Sequence, residues 1–233
     1  MMTIELKKRI ITSILLFSLV IFCIFINWPI YILSIIIVSG IVLSEICNLI
    51  WLVEKSTSTK NWIPFSLISF FYIFFIFLIM TTDLYNSGPV YIIYILLICI
   101  FSDIGGYVIG KTIGGKKLTK ISPNKTISGS AGAFCFSIAP LLLFYNFDQS
   151  EYSYSFNNFL LCLEISLVCQ LGDIFISYIK RKGKVKNTGN FLPGHGGLLD
   201  RIDGIIFAIP FVWIHMNGLS AYFEITKSAL SRL

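Results

Sequence analysis

Six acidic residues stand inside apolar stretches of the 233-residue chain: Glu45, Asp103, Glu164, Asp173, Asp200 and Asp203. A carboxylate in such a run is costly to bury, so it is a functional hypothesis by default. Asp200 and Asp203 are spaced i, i+3 and share a helix face. Two loops beside the aspartates are rich in lysine and glycine. The first covers residues 111–126 and carries Lys111, Gly114, Gly115, Lys116, Lys117, Lys120 and Lys125. The second begins at Lys180-Arg181-Lys182, passes Lys184 and Lys186, and ends in Pro193-Gly194-His195-Gly196-Gly197. Glycine lets backbone N–H groups approach a phosphate, and lysine supplies the charge. Ser128-Gly129-Ser130 opens a predicted helix whose N-terminus favours an anion. Together these groups suit a hard divalent cation carrying phosphates. Mg²⁺ takes one or two carboxylates and leaves its other positions to water and phosphate. A competing reading pairs each aspartate structurally with Lys180, Arg181 or Arg201, and treats the lysine loops as solvated markers of topology. Glu45 and Glu164 lie elsewhere in their runs, and structural hydrogen bonds suit them better.

Two formal motifs mislead. Residues 105–112 match GxxxxGK[ST], but a P-loop joins a strand to a helix in an α/β domain. Here the pattern is the tail of an apolar run. Asn124-Lys125-Thr126 is a glycosylation sequon on a loop predicted to be cytoplasmic. The six cysteines sit inside apolar runs without a CxxC pair, which fits buried small hydrophobes and not zinc or disulfides.

The elements that must position these groups are membrane helices. Hydrophobic residues make up 56% of the chain and charged residues 13%, about half the share of a soluble domain. Mean hydropathy is +0.83. A soluble globule and a disordered chain are both excluded. Seven runs are long enough to cross a bilayer, at about 10–28, 29–53, 62–80, 88–110, 128–147, 157–179 and 198–217. Each offers roughly 20 residues, which at about 1.5 Å per residue spans the hydrocarbon core. Backbone polar groups cannot stay unpaired in lipid, so the runs should be helices. Pro29 suits a helix start after a tight turn at Asn27-Trp28. The first run follows Lys7-Lys8-Arg9 but lacks a small-x-small cleavage site, and reads as a retained anchor.

The fold expected is all-α: one polytopic membrane domain of about seven transmembrane helices with its N-terminus in the cytoplasm. Residues 1–100 add N-terminal helices, 101–207 carry the catalytic helices and loops, and 208–233 finish the last helix and tail. In this topology 15 of the 18 basic residues face the cytoplasm, and the outer loops at 81–87 and 148–156 hold none. Asp103 and Asp173 then lie roughly 10–12 Å inside the cytoplasmic boundary, with Asp200 and Asp203 at its edge. Four carboxylates from three helices line one cavity open to the cytoplasm. The net charge of +6 is read as positive-inside loops and not as nucleic-acid binding. No internal repeat is evident, which argues against an inverted-repeat transporter.

Ser177-Tyr178-Ile179-Lys180-Arg181, then Lys186, then Leu192-Pro193-Gly194-His195-Gly196-Gly197-Leu198-Leu199-Asp200-Arg201-Ile202-Asp203 closely resembles the motif of phosphatidate cytidylyltransferases (CDP-diacylglycerol synthases). Gln170-Leu171-Gly172-Asp173 is similar to that family's metal-binding helix. Ser102-Asp103, Tyr107, Gly110-Lys111 and Ser122-Pro123-Asn124-Lys125-Thr126, followed by Gly129 and Gly132, resemble its other cytoplasmic block. The resemblance covers about residues 100–207. Three positions depart: Asn187 where members usually carry Asp, Ser128 where an acidic residue is usual, and Asn124 where lysine is frequent.

The resemblance implies a magnesium-dependent nucleotidyltransferase of phospholipid biosynthesis. It would move CMP from CTP to phosphatidic acid and release pyrophosphate, in the inner membrane with its site facing the cytoplasm. Asp173 and Asp200 would hold the metal; a second cation stays open. Lys125, Lys180, Arg181 and Arg201 would bind phosphates, and Ser122, Thr126 and Ser177 would donate hydrogen bonds. Asp203 would orient Arg201 or assist the metal, with Asp103 a weaker candidate for either. His195 is a phosphate ligand, a general acid or a structural cap. The partners implied are CTP, phosphatidate, the bilayer and a second copy in a homodimer. Rival readings are a CTP-dependent lipid or polyprenol kinase, a cation-coupled transporter and a non-enzymatic scaffold.

Overall fold

The computed structural model describes residues 18–57, 62–119, 121–144, 155–192 and 196–230; for residues 62, 83–87 and 218–230 only the backbone is described. Helical residues 18–26 lead to a break at Asn27. Then come α1 (Trp28–Thr57), α2 (Trp62–Thr112), α3 (Ile127–Ser137), α4 (Ala139–Phe144), α5 (Phe156–Lys182), α6 (Leu199–Ile202) and α7 (Ile205–Leu230). The only strand-like pairings among the described residues are two isolated bridges, Lys117–Thr126 and Leu192–Gly196. The architecture is all-helical, as the apolar runs require.

Five helical stretches are long and apolar enough to cross a membrane: Trp28–Thr57, Ile63–Thr82, Gly88–Thr112, Ile127–Phe144 and Phe156–Lys182. They track the second to sixth runs closely. Their outer faces carry exposed Ile68, Phe70, Phe71, Phe74 and Phe75, which water would not tolerate and lipid accepts. Most of the first run lies outside the described residues, as do Lys7, Lys8 and Arg9. Most of the loop at 148–156 and the last three residues of the tail do too.

Two expectations are corrected. The connection predicted at 81–87 is helical, and α2 breaks at Gly88, whose φ of 79° an L side chain rarely adopts. Pro89 follows and cannot donate into the preceding turn. Met80 before the break and Ile92, Ile95 and Leu96 after it line one apolar gap, so the chain doubles back there. The seventh run is not one helix either. Its first residues form the single turn α6, then Asp203 and Gly204 interrupt it, and α7 starts at Ile205. The Asp203 side chain accepts from the Gly204 amide (3.0 Å), and Gly204 packs onto Cys169 with no room for a Cβ.

The core wraps α5. Ile98 and Cys99 of α2 meet Cys162, Ile165 and Cys169 of α5 and Ala208 and Val212 of α7. A second cluster joins Val42 of α1 and Ile73, Ile76 and Ile79 of α2 to Ile176, Leu198, Leu199 and Ile206. The second half of α2 lies against α3 through glycine. A Cβ on Gly105 would collide with the Gly132 carbonyl, and one on Gly132 with Ile109. Small residues let helix backbones approach this closely in a membrane. The cysteines are unpaired thiols: Cys99, Cys162 and Cys169 are buried as expected, but Cys23 and Cys47 are half-buried and Cys135 is exposed.

Candidate active site

Where α2, α3 and α5 meet, a cavity of about 340 Å³ opens. α2 contributes Asp103 and Tyr107, the following loop Ser122, Asn124 and Lys125, and α5 Gln170 and Asp173. The loop is shaped by its own backbone. Leu118 N donates to Lys125 O (2.8 Å) and Ile127 N to Lys116 O (3.0 Å), folding residues 116–127 into a short hairpin. Thr126 ends it as the N-cap of α3, its hydroxyl accepting from Gly129 N at 3.0 Å. Ser128 donates to Gly114 O and shares a hydrogen bond with Thr126. Thr126 therefore lines the cavity with its hydroxyl already engaged as a cap.

The hairpin delivers Lys125 to Asp173, and the two form an ion pair with side chains 25% and 30% exposed. Ser177, one turn further along α5, donates to the other Asp173 oxygen at 3.3 Å. Asp103 of α2 and Asp173 of α5 line this cavity together, but Asp200 and Asp203, expected to line it with them, are not among its lining residues. Asp203 is buried at the end of α6. Deeper in, Ser130 donates to Gln170 (2.6 Å), Gln170 to Ser166 (3.2 Å), and Ser166 shares a hydrogen bond with Ser102 (2.7 Å).

Asp200 is built differently. One oxygen accepts from buried Lys180 at 2.8 Å. The other accepts from the amides of Thr188 (2.9 Å) and Gly197 (3.0 Å). Burial alone would raise its pKa, but the Lys180 charge and the two amides outweigh that and hold the carboxyl below its usual range. Gly196, at φ +87°, packs against it where a Cβ would press on the Asp200 carboxylate and on Asn187. Arg181 and Arg201 are exposed at the ends of α5 and α6. His195 lies outside the described residues, as does Lys120.

The competing pairing reading holds in part, since Lys180 pairs with Asp200; Lys125, which that reading did not name, pairs with Asp173. Among the described residues, no three His, Cys, Asp or Glu side chains converge to hold a metal by themselves. The oxygens still fit magnesium, which needs only one or two carboxylates when phosphate and water supply the rest. Asp173 is the freer donor, and Asp200 keeps a single open lone-pair direction on the oxygen that Lys180 holds. Glu45, set aside as structural, accepts from Thr188 Oγ1, Leu198 N and Leu199 N, as that reading expects. Glu164, expected to make a structural hydrogen bond, instead meets His215 of α7 at 3.3 Å with its Oε2 buried and without a hydrogen-bond partner. Gln170 and Ser130 also line the cavity. The sequence marked both, Ser130 at an anion-favouring helix start and Gln170 beside Asp173 in the family motif, without naming either as a site residue.

Residues 49–219 match the cytidylyltransferase family. A Bacillus subtilis (strain 168) phosphatidate cytidylyltransferase is 37% identical over 162 residues, covering 68% of this chain and 60% of that protein. A Staphylococcus aureus (strain COL) protein of the same name is 43% identical over 132 residues, 54% of this chain and 49% of its own length. One from Rickettsia bellii (strain RML369-C) is 44% identical over 124 residues, 50% and 53% of the two chains. The chain spans about half to three-fifths of the length of these curated relatives. With nearly three-quarters of its residues inside the family match, the chain belongs to the cytidylyltransferase family.

Proposed function

We propose that the chain transfers CMP from CTP to phosphatidic acid, yielding CDP-diacylglycerol and pyrophosphate, as the names of its relatives indicate. The observation that carries the reading is the cavity where Lys125, Asp173, Ser122 and Asp103 meet at the ends of membrane helices. Such a cavity suits a lipid phosphate, whose acyl chains stay in the bilayer, meeting a nucleotide from water.

The topology that serves this chemistry has seven spans, the first built on the run at 10–28 and the last on α7, with a cytoplasmic N-terminus. The ends of three helices support it. Lys55 lies over Trp51, Lys111 over Tyr107 and Lys182 over Tyr178, each an i, i+4 pair at the C-terminal end of α1, α2 and α5. Aromatic rings and lysines mark a headgroup boundary, and the positive-inside rule makes that side cytoplasmic. The enzyme works as one membrane domain in the inner membrane: residues 1–100 form a helical support, 101–207 carry the site, and 208–233 complete the last helix. A homodimer is its assembly.

Lys125, Lys180, Arg181 and Arg201 bind the phosphates, the arginines with paired donors and the lysines as point charges. Ser122 and Ser177 add hydroxyl donors, and Thr126 holds the hairpin in place. A phosphatidate oxygen attacks the α-phosphorus of CTP in line, and pyrophosphate departs. No general base is required, because a phosphate monoester is already largely anionic near neutral pH. Asp173 and Asp200 would hold the magnesium, which would neutralise the charge developing on the phosphates. Asp203 orients Arg201 or assists the metal. Purified protein given cytidine-labelled CTP, phosphatidate and Mg²⁺ should place the label in lipid, and EDTA should stop it. Label recovered only as free CDP would replace this reading with a lipid kinase.

A further inference from the structure

Glu45 is 7% exposed, on an apolar face of α1 with Val42 and Leu49. Its carboxylate takes three hydrogen bonds: Thr188 Oγ1 at 2.8 Å, and the Leu198 and Leu199 amides at 2.9 Å each. Asp200 takes the Thr188 amide and the Gly197 amide from the other side. Two carboxylates thus grip the same two short segments, one at residue 188 and one at residues 197–199. Their donors interleave: the hydroxyl of Thr188 goes to Glu45 and its amide to Asp200. Two glycines make room for the grip. A Cβ on Gly189 would lie 2.9 Å from Glu45 Oε1, and one on Gly197 would collide with Thr188 Oγ1 and Glu45 Oε2. Glu45 also lies outside the residues 49–219 that match the family.

We infer that Glu45 is a positioning residue for the transfer reaction: from α1 it fixes the loop that sets the place of Asp200. This rests on the function proposed above. It also gives α1 a part in the chemistry, since α1 carries the acceptor that the loop closes on. Glutamine at this position keeps the shape but sets an NH₂ against at least one donor. Alanine leaves all three donors unpaired. A misplacement of about 1 Å at a reacting group costs on the order of 100-fold in rate.

The test compares Glu45→Gln and Glu45→Ala with the parent chain in detergent. Cytidine transfer is expressed per folded molecule, and amide hydrogen exchange is followed over residues 188–200. The expected order of kcat is Glu above Gln above Ala, falling about 10-fold and then about 100-fold, with KM for CTP within about twofold. Thr188→Val should cost less, and it should add little in the Glu45→Ala background, because both remove the same contact. Exchange at Thr188, Gly197, Leu198 and Leu199 should quicken in the same order. Exchange needs no substrate, so it reads the grip even if the parent chain fails to label lipid, a failure that would refute the function alone. Unchanged exchange in Glu45→Ala overturns the inference. So does a kcat per folded molecule equal to the parent's in both variants.

Discussion

The two aspartates assigned to the metal sit in opposite surroundings. Asp173 lines an open cavity and pairs with one lysine on a hairpin, both side chains a quarter or more exposed. Asp200 and Lys180 are 8% and 11% exposed, and two backbone amides complete the Asp200 set. A partly solvated ion pair contributes about 0–1 kcal/mol and rearranges at little cost. A buried carboxylate with three donors is costly to disturb, because each donor would be left unpaired. Identical side chains therefore differ in surroundings: Asp173 can release Lys125 at little cost, whereas Asp200 is held in place by the fold around it.

Substitution can break that comparison, and the largest expected effect comes first. Asp173→Asn and Asp200→Asn should each lower CMP transfer at least about 1,000-fold if both reach the reacting phosphates. Their melting temperatures should diverge. Asp173→Asn should melt within a degree or so of the parent, while Asp200→Asn should lose about 2–4 kcal/mol and melt several degrees lower. Equal melting shifts would erase the distinction. Lys125→Ala comes next, with KM for CTP or phosphatidate raised about 10-fold and the fold intact, and unchanged kinetics would reduce the hairpin to a topology marker. Thr126→Ala should destabilise by about 1 kcal/mol as a lost cap while Thr126→Ser keeps stability; equal melting of the two would refute the capping role.

The smallest effect concerns acid. The Asp200 carboxyl is held below its ordinary value, so the stability it contributes is fully present above an unfolded pKa of about 4. That contribution fades only as pH falls through the lower folded value. Melting of the parent should stay flat from about pH 6 to 8 on this account and drop in strong acid, and Asp200→Asn should lose part of the acid limb.

Much of this was legible from composition and spacing. Uninterrupted apolar runs located five spans within a few residues, because lipid leaves the backbone no choice but a helix. Depth along those helices brought Asp103 and Asp173 to one cavity, although Asp200 and Asp203, expected beside them, do not line it; Ser122 and Lys125, on a loop, were marked by the family resemblance instead. The pairings were not legible. Lys125 and Asp173 are 48 positions apart in the chain, and no periodicity tells which lysine of a basic loop will reach a given carboxylate. The resemblance implied Thr126 as a hydrogen-bond donor to substrate, although a Thr immediately before a helix start is a cap signature, and the structure uses it as one. The break at Asp203-Gly204 was hidden because the residues around it are apolar, and only the close approach of Gly204 to Cys169 explains it. Glu45 was rightly read as hydrogen-bonded, but its partners lie 143 to 154 residues away.

The most direct measurement follows the fate of each phosphate. Purified chain is incubated with phosphatidate, Mg²⁺ and CTP carrying distinguishable labels on its α- and γ-phosphates. The α label should enter lipid as CDP-diacylglycerol while the γ label leaves as pyrophosphate in equal amount. Transfer of the γ label to lipid, with the α label retained in CDP, would contradict the account.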